Sequence, residues 1–224
     1  MAKRAVAADS LSREAVVDRA LEIADAEGLE AVTIRRLGVE FGVTPMALYW
    51  HVKNKDELLE AMGDRILALI TLDDLDASAP WHEQLGAIIH KLVNALRPHP
   101  TCTMLAARRI VASEAGIEVS ERAFAVLREA GFSVRDTASI ATQALQTAMM
   151  LITAEPGAEP GVTPEERERR LAEKRRNIER LPADRYPRVR EMVDALLDCD
   201  DLQEYYDYGI AVFVAGARTL LAAG

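Results

Sequence analysis

The chain has 224 residues, is 50% hydrophobic and carries a formal net charge of −9, enough apolar material for a substantial core in one or two domains. No apolar run is long enough to cross a bilayer, and the first ten residues lack the apolar core of a signal peptide, so a cytoplasmic protein without a membrane partner is expected. Its two cysteines, Cys102 and Cys199, make neither a disulfide framework nor a CxxC spacing and read as reduced, structural thiols.

No run of alternating β-branched residues marks a strand, and the chain reads as all-α. Residues 1–10, with Lys3 and Arg4, read as a flexible arm. A first helix is expected over residues 12–27. Ser12 caps it, Val16, Ala20, Ile23 and Ala24 form its inward stripe, and Gly28 stops it.

Residues 32–59 read VTIRRLGVEFGVTPMALYWHVKNKDELL. A short helix is expected over 33–41, with Thr33 as N-cap and Ile34, Leu37 and Phe41 at helical spacing. Gly42 ends it, because glycine enters the left-handed region without a Cβ penalty. Thr44 then caps a second helix with Pro45 at its first position, where a missing N–H costs nothing. That helix carries Met46 through Val52. Two short helices joined by a glycine-bearing turn are the sequence form of a helix-turn-helix, and its second helix is the one that enters a major groove. Leu48 and Val52 lie four apart and share the buried face, so Tyr49, Trp50 and His51 cannot all point inward. Between residues 33 and 55 four basic side chains (Arg35, Arg36, Lys53, Lys55) stand against one acid, Glu40. A positive island on an acidic chain is where phosphates should land. The competing reading is a plain helical hairpin with Tyr49 and Trp50 in its core.

A connecting helix begins near residue 55, with Asp56 and Glu57 suiting the dipole of its first turn, and is expected to run to about residue 72. The polar stretch DDLDASAP at 73–80 is the best domain boundary. The domains are therefore an arm (1–10), a helix-turn-helix domain (11–55), a connecting helix (56–72) and a larger helical body (73–224). In the body, helices are expected over 81–97, 103–112, 117–130 and 134–153. The last is capped by Ser133 and rich in alanine and methionine, which allow close helix approach and fill irregular gaps. EPGAEPGVTP at 155–164 is a break. The helix after it has few apolar residues and interleaved charges, and reads as an exposed, salt-bridged face. A short helix over 189–197 and an apolar terminal helix over 201–222 follow.

LGVEFGVTPMALYWHVKNKDELLEAM resembles the operator-binding domain of the TetR family of bacterial regulators, and LYWHVKNK is close to the tetracycline repressors themselves. The resemblance is specific over residues 11–70 and general beyond. It implies DNA contacts from Thr33 and Arg35, base readout at Thr44, Pro45 and Met46, phosphate contacts from Tyr49, His51 and Lys55, and Trp50 against the backbone. TPMA at 44–47 is not what the tetracycline repressors carry, so a different operator is expected. Met46 and Ala47 suit apolar contact with a thymine methyl. The resemblance also implies a homodimer on a palindrome, paired through the helix over 134–153 and the terminal helix. It further implies a small-molecule effector in the body, with Met104, Arg108, Phe124, Gln143, Gln146, Thr147 and Met150 as candidate lining residues. Residues 105–110 read LAARRI in place of the histidine-bearing turn that holds magnesium in tetracycline repressors, so no tetracycline–magnesium complex is expected.

Catalytic motifs are missing: His51, His82, His90 and His99 make no HExxH, and there is no GxSxG or phosphate-binding glycine loop. No cofactor and no metal site is read. The expected function is a ligand-responsive repressor that binds double-stranded DNA as a homodimer. The alternatives are an activator without a small effector, told apart by whether a ligand changes operator affinity, and a helical protein-interaction module, told apart by salt-dependent duplex binding.

Overall fold

The computed structural model describes residues 11–155, 163–197 and 201–223. Over these residues the chain forms twelve α-helices and no strand, as the sequence predicts. The expected arm with Lys3 and Arg4, most of the 155–164 break, and Cys199 lie outside the described residues.

Helix α1 (Arg13–Glu27) starts where the Ser12 hydroxyl accepts from the Ala15 amide at 3.1 Å, and its Val16, Ala20, Ile23 and Ala24 are buried. Helix α2 (Ile34–Phe41) is capped by the Thr33 hydroxyl, which accepts from the Arg36 amide at 3.0 Å. It stops at Gly42, whose φ of 65° is a left-handed conformation that glycine takes without strain.

Helix α3 (Pro45–Leu48) is one turn long rather than running to Val52, and residues 49–51 continue as a turn. The chain has to leave the helix because Asn54, two residues past Val52, caps the next one by accepting from the Glu57 amide at 2.8 Å. Thr44 sits at the N-cap of α3 in extended backbone, but its hydroxyl makes no capping bond, contrary to the sequence expectation.

Helix α4 (Lys55–Leu67) ends five residues short of the expected residue 72. The bonds of Leu69 to Ile66 and of Ile70 to Leu67 are already three-residue turns, and Leu69 is exposed while Ile70 and Leu72 pack against the core from outside the helix.

The body is built around α5 (Trp81–Leu96), which buries Leu85, Ile88, Ile89, Leu92, Val93 and Leu96. Helix α6 (Thr103–Arg109) is shorter than expected. Helix α7 (Glu114–Glu129) begins three residues early, because the Ser113 hydroxyl accepts from the Gly116 amide at 3.1 Å and supplies an unforeseen cap. Helix α8 (Val134–Thr153) has the predicted bounds and its Ser133 cap. Helix α9 (Pro164–Glu179) pairs with α10 (Pro187–Glu191) and α11 (Val193–Leu197) and carries local ion pairs such as Glu166–Arg170 at 3.0 Å. The expected single helix over 189–197 is therefore two pieces, interrupted at Met192. The terminal helix, α12 (Leu202–Ala223), packs with α7 and α8 around α5 to form the core of the body.

Helix α4 lies between the small N-terminal domain, or head, and the body, against both α1 and α6. Its approach to α6 is close: a Cβ on Gly63 would fall 2.7 Å from the Leu105 carbonyl oxygen. Around that contact Arg109 Nε pairs with Asp64 Oδ1 at 2.7 Å, and Arg65 Nε pairs with Asp18 of α1 at 2.7 Å. His99 Nδ1 lies 2.8 Å from Asp25 Oδ2, and the Thr101 hydroxyl donates to the Ala24 carbonyl at 3.2 Å. The head is thus tied to the body at the end of α1 and along α4.

Candidate nucleic-acid interface and effector cavity

Within the head, Leu37, Leu48, Val52 and Leu58 are fully buried. Withdrawing Leu48 and Val52 leaves the intervening side chains outside. Trp50 is 87% exposed, Met46 70% and Tyr49 45%, while His51 is half-buried. Thr33, Arg35, Thr44 and Pro45 are exposed, and Lys55 is half-buried at the start of α4. The close fit of the two helices is visible at Gly38, where a Cβ would meet the Val43 carbonyl oxygen at 3.0 Å and Pro45 Cδ at 3.8 Å.

The four basic side chains of this region are not equivalent. Arg36 pairs with Glu27 at 2.8 Å and with Glu40 at 3.0 Å. The Arg19 guanidinium, by hydrogen bonding, holds the Glu40 carboxyl below its ordinary range, so Glu40 stays ionised and offsets Arg36. Arg35, Lys53 and Lys55 make no ion pair among the described residues. These three cations are the ones available to an outside anion, a distinction that residue spacing did not reveal.

The body contains a cavity of about 250 Å³ between α5, α7, α8 and the residues just after α6. Leu85, Ile88, Ile89 and Leu92 of α5 form one wall, Ile110 and Val111 another, and Val119, Ala123 and Phe124 of α7 face Ala141, Ala144 and Leu145 of α8. Of the seven lining residues expected from sequence, the structure brings Phe124 to this cavity. Gln143, Gln146, Thr147 and Met150 lie instead in a shallower groove of about 390 Å³ with Leu151, Ala154 and Tyr205, at the junction of α8 and α12. Met104 and Arg108 line neither and are exposed on α6. The physical reason is register on α8: Ala141, Ala144 and Leu145 turn inward, and Gln143 and Gln146 fall on the opposite side. The α5 wall was legible only as a generic apolar stripe, since a helix pattern says which face is buried and not whether its neighbours fill the space. Among the described residues no group of three or more His, Cys, Asp or Glu could hold a metal ion, and no helix is long and apolar enough to cross a membrane.

Comparison with known proteins agrees with this architecture. Residues 16–62 match the family model described as "Bacterial regulatory proteins, tetR family". Residues 76–221 match "Tetracyclin repressor-like, C-terminal domain". A protein named "HTH-type transcriptional regulator" from Saccharopolyspora erythraea is 29% identical over 126 residues, covering 56% of this chain and 53% of that one. Tetracycline repressor protein class D of Escherichia coli is 47% identical over 58 residues, covering 26% of this chain and 27% of the repressor. The chain thus spans about half the length, or less, of these curated relatives. The crystal structure of ActR from Streptomyces coelicolor in complex with actinorhodin superposes with a TM-score of 0.76 at 24% identity, covering 96% of this chain and 98% of ActR, a likeness of fold. With the C-terminal match alone spanning more than half of the residues, the chain belongs to the tetR family of bacterial regulatory proteins.

Proposed function

We propose that this protein is a homodimeric transcriptional repressor that binds a palindromic operator and is released from it by a small molecule. The observation that carries the reading is the outer surface of the head. Leu48 and Val52 are withdrawn into the core, and Met46, Tyr49, Trp50, Arg35 and Lys53 are left at the surface of a chain whose net charge is −9. Such a surface suits a polyanion presenting base edges and phosphates. Thr44, Pro45 and Met46 at the start of α3 take the base edges, with Met46 and Ala47 suited to a thymine methyl. Thr33, Tyr49, His51 and Lys55 take phosphates, Arg35 a base or phosphate, and Trp50 lies along the backbone. The protein acts where its operator is, in the cytoplasm, and we assign it no catalytic step.

Release by a ligand is supported by how the cavity meets the head. Ile110 and Val111 line it and directly follow α6, whose Arg109 is paired with Asp64 of α4. The near-contact of Gly63 with Leu105 leaves α6 no room to move toward α4 without displacing it. A molecule that pushes on the α6 end therefore moves α4, and with it the head. Ligand and operator favour different spacings of the two heads, and by linkage each weakens the other. That ActR, which shares the fold, holds actinorhodin supports a small-molecule role for the body here.

Selection of bound duplexes from a random-sequence pool, using purified protein at moderate salt, tests the reading. The expected result is a palindrome with half-sites about one helical turn apart, roughly 34–36 Å. Recovery of no enriched sequence by folded protein would instead favour a helical protein-interaction module.

A further inference from the structure

We infer that the effector is a compact, uncharged, largely apolar molecule that offers a hydrogen-bond donor, and that charged ligands and metal chelates are excluded. This inference deepens the proposed function and rests on its reading of the cavity as the effector site.

Charge comes first. None of the side chains lining the cavity is ionisable. The nearest arginines in sequence are committed elsewhere. Arg109, beside Ile110, pairs with Asp64 at 2.7 Å, and Arg122, two residues beyond Ser120, donates to Gln84 Oε1 at 2.9 Å. A carboxylate or ammonium entering this space would lose part of its hydration and gain no counter-charge, which is an unfavourable way to bury an ion. A metal chelate would find neither a ligating side chain nor a charge partner in the lining.

Polarity comes second. Ser120 and Thr142 supply the hydroxyls among the lining side chains. Both have their protons engaged. Ser120 Oγ donates to the Gly116 carbonyl at 2.8 Å, with the Ile110 carbonyl at 3.2 Å, and Thr142 Oγ1 donates to the Ala138 carbonyl at 2.8 Å. A hydroxyl whose proton is taken retains lone pairs, so each can accept from a ligand and neither is poised to donate. The cavity therefore discriminates between a phenol-like donor and a carboxylate-like acceptor, even when the two have the same ring system.

Size comes third. At about 250 Å³ the space lies just below the usual range of small-molecule pockets, roughly 300–1,000 Å³. One or two fused rings fit; a larger ring system would have to displace a wall.

The test uses two matched probes, β-naphthol and β-naphthoate, titrated calorimetrically into the full-length protein, with operator affinity followed in parallel. The expected result is saturable naphthol binding and at least tenfold weaker naphthoate binding. Ala141→Phe, which fills the cavity from a half-buried position, should abolish the naphthol signal. Ser120→Ala, a change of one atom, should fold normally and weaken naphthol several-fold by removing an acceptor. Naphthoate binding as tightly as naphthol would overturn the assignment of ligand class. Binding of neither probe, or naphthol binding undiminished in both variants, would overturn the site. Naphthol binding as predicted with operator affinity unmoved would uphold the ligand class and count instead against release by ligand, so the two readings fail separately.

Discussion

Trp50 is 87% exposed, close in sequence to exposed Met46 and Tyr49, and the proposed operator contact rests on these side chains. Its neighbours explain why it cannot hide: Leu48 and Val52 occupy the inward positions on either side of it. The basic residues add a second distinction, because Arg36 is neutralised within the head whereas Arg35, Lys53 and Lys55 are not. Each phosphate contact releases a counterion, so Lys55→Ala should weaken operator binding about equally across operator sequences. It should also lower the slope of log affinity against log salt by about 1. Titration at several salt concentrations measures this, and an unchanged slope would remove Lys55 from the interface. Cys102 belongs to the opposite kind of environment. It is fully buried, and burial pushes its thiol up to about 11. The thiolate is the reactive form, so in the folded protein the Cys102 peptide should stay unalkylated at neutral pH and become labelled only in denaturant, as peptide mass mapping would show.

Among the elements, α4 carries the connection between the head and the body. It touches α1 through Arg65–Asp18 and α6 through Arg109–Asp64, and at Gly63 the two backbones approach too closely for any side chain. Gly63→Ala introduces a methyl group 2.7 Å from a carbonyl oxygen that belongs to backbone and cannot rotate away. Overpacking of this kind costs about 1–3 kcal/mol, and here α4 must move off α6 to relieve it. The expected outcome is a lower denaturation midpoint together with altered operator affinity. A midpoint equal to that of the unchanged protein would show that the contact is looser than drawn.

For the whole molecule, the exposed faces of α8 and α12 matter most. Val134 and Met150 on α8, and Tyr208, Val212 and Leu220 on α12, are each more than half exposed, whereas Ile140, Ala148, Tyr206, Ile210 and Ala217 on the same helices are buried. The exposed side of α12 is largely apolar while that of α8 mixes Met150 with Gln143 and Gln146, and in the proposed homodimer these two helices pair with a second copy as a four-helix bundle across a two-fold axis. Val212→Glu combined with Leu220→Glu should turn the dimer into a monomer in sedimentation or light scattering at micromolar concentration. Losing the second head should weaken palindrome binding on the order of 10²-fold or more. The unchanged protein running as a monomer under those conditions would remove the bundle.

Much of the head was legible in the sequence, apart from the Thr44 cap and the length of α3. Ser12 and Thr33 act as caps, Gly42 closes the turn, and the Leu48–Val52 pair turns inward, because capping and helical period depend on neighbours within one turn of chain. Helix α8 and its Ser133 cap were legible for the same reason. What the tertiary structure decided were matters of register between distant segments. It pairs Arg36 with Glu27 and Glu40, brings α4 against α6 at Gly63, and turns Ala141, Ala144 and Leu145 rather than Gln143 and Gln146 toward the space beneath α5. A helix pattern fixes which side chains share a face; only packing fixes what each face meets and whether the space between is filled.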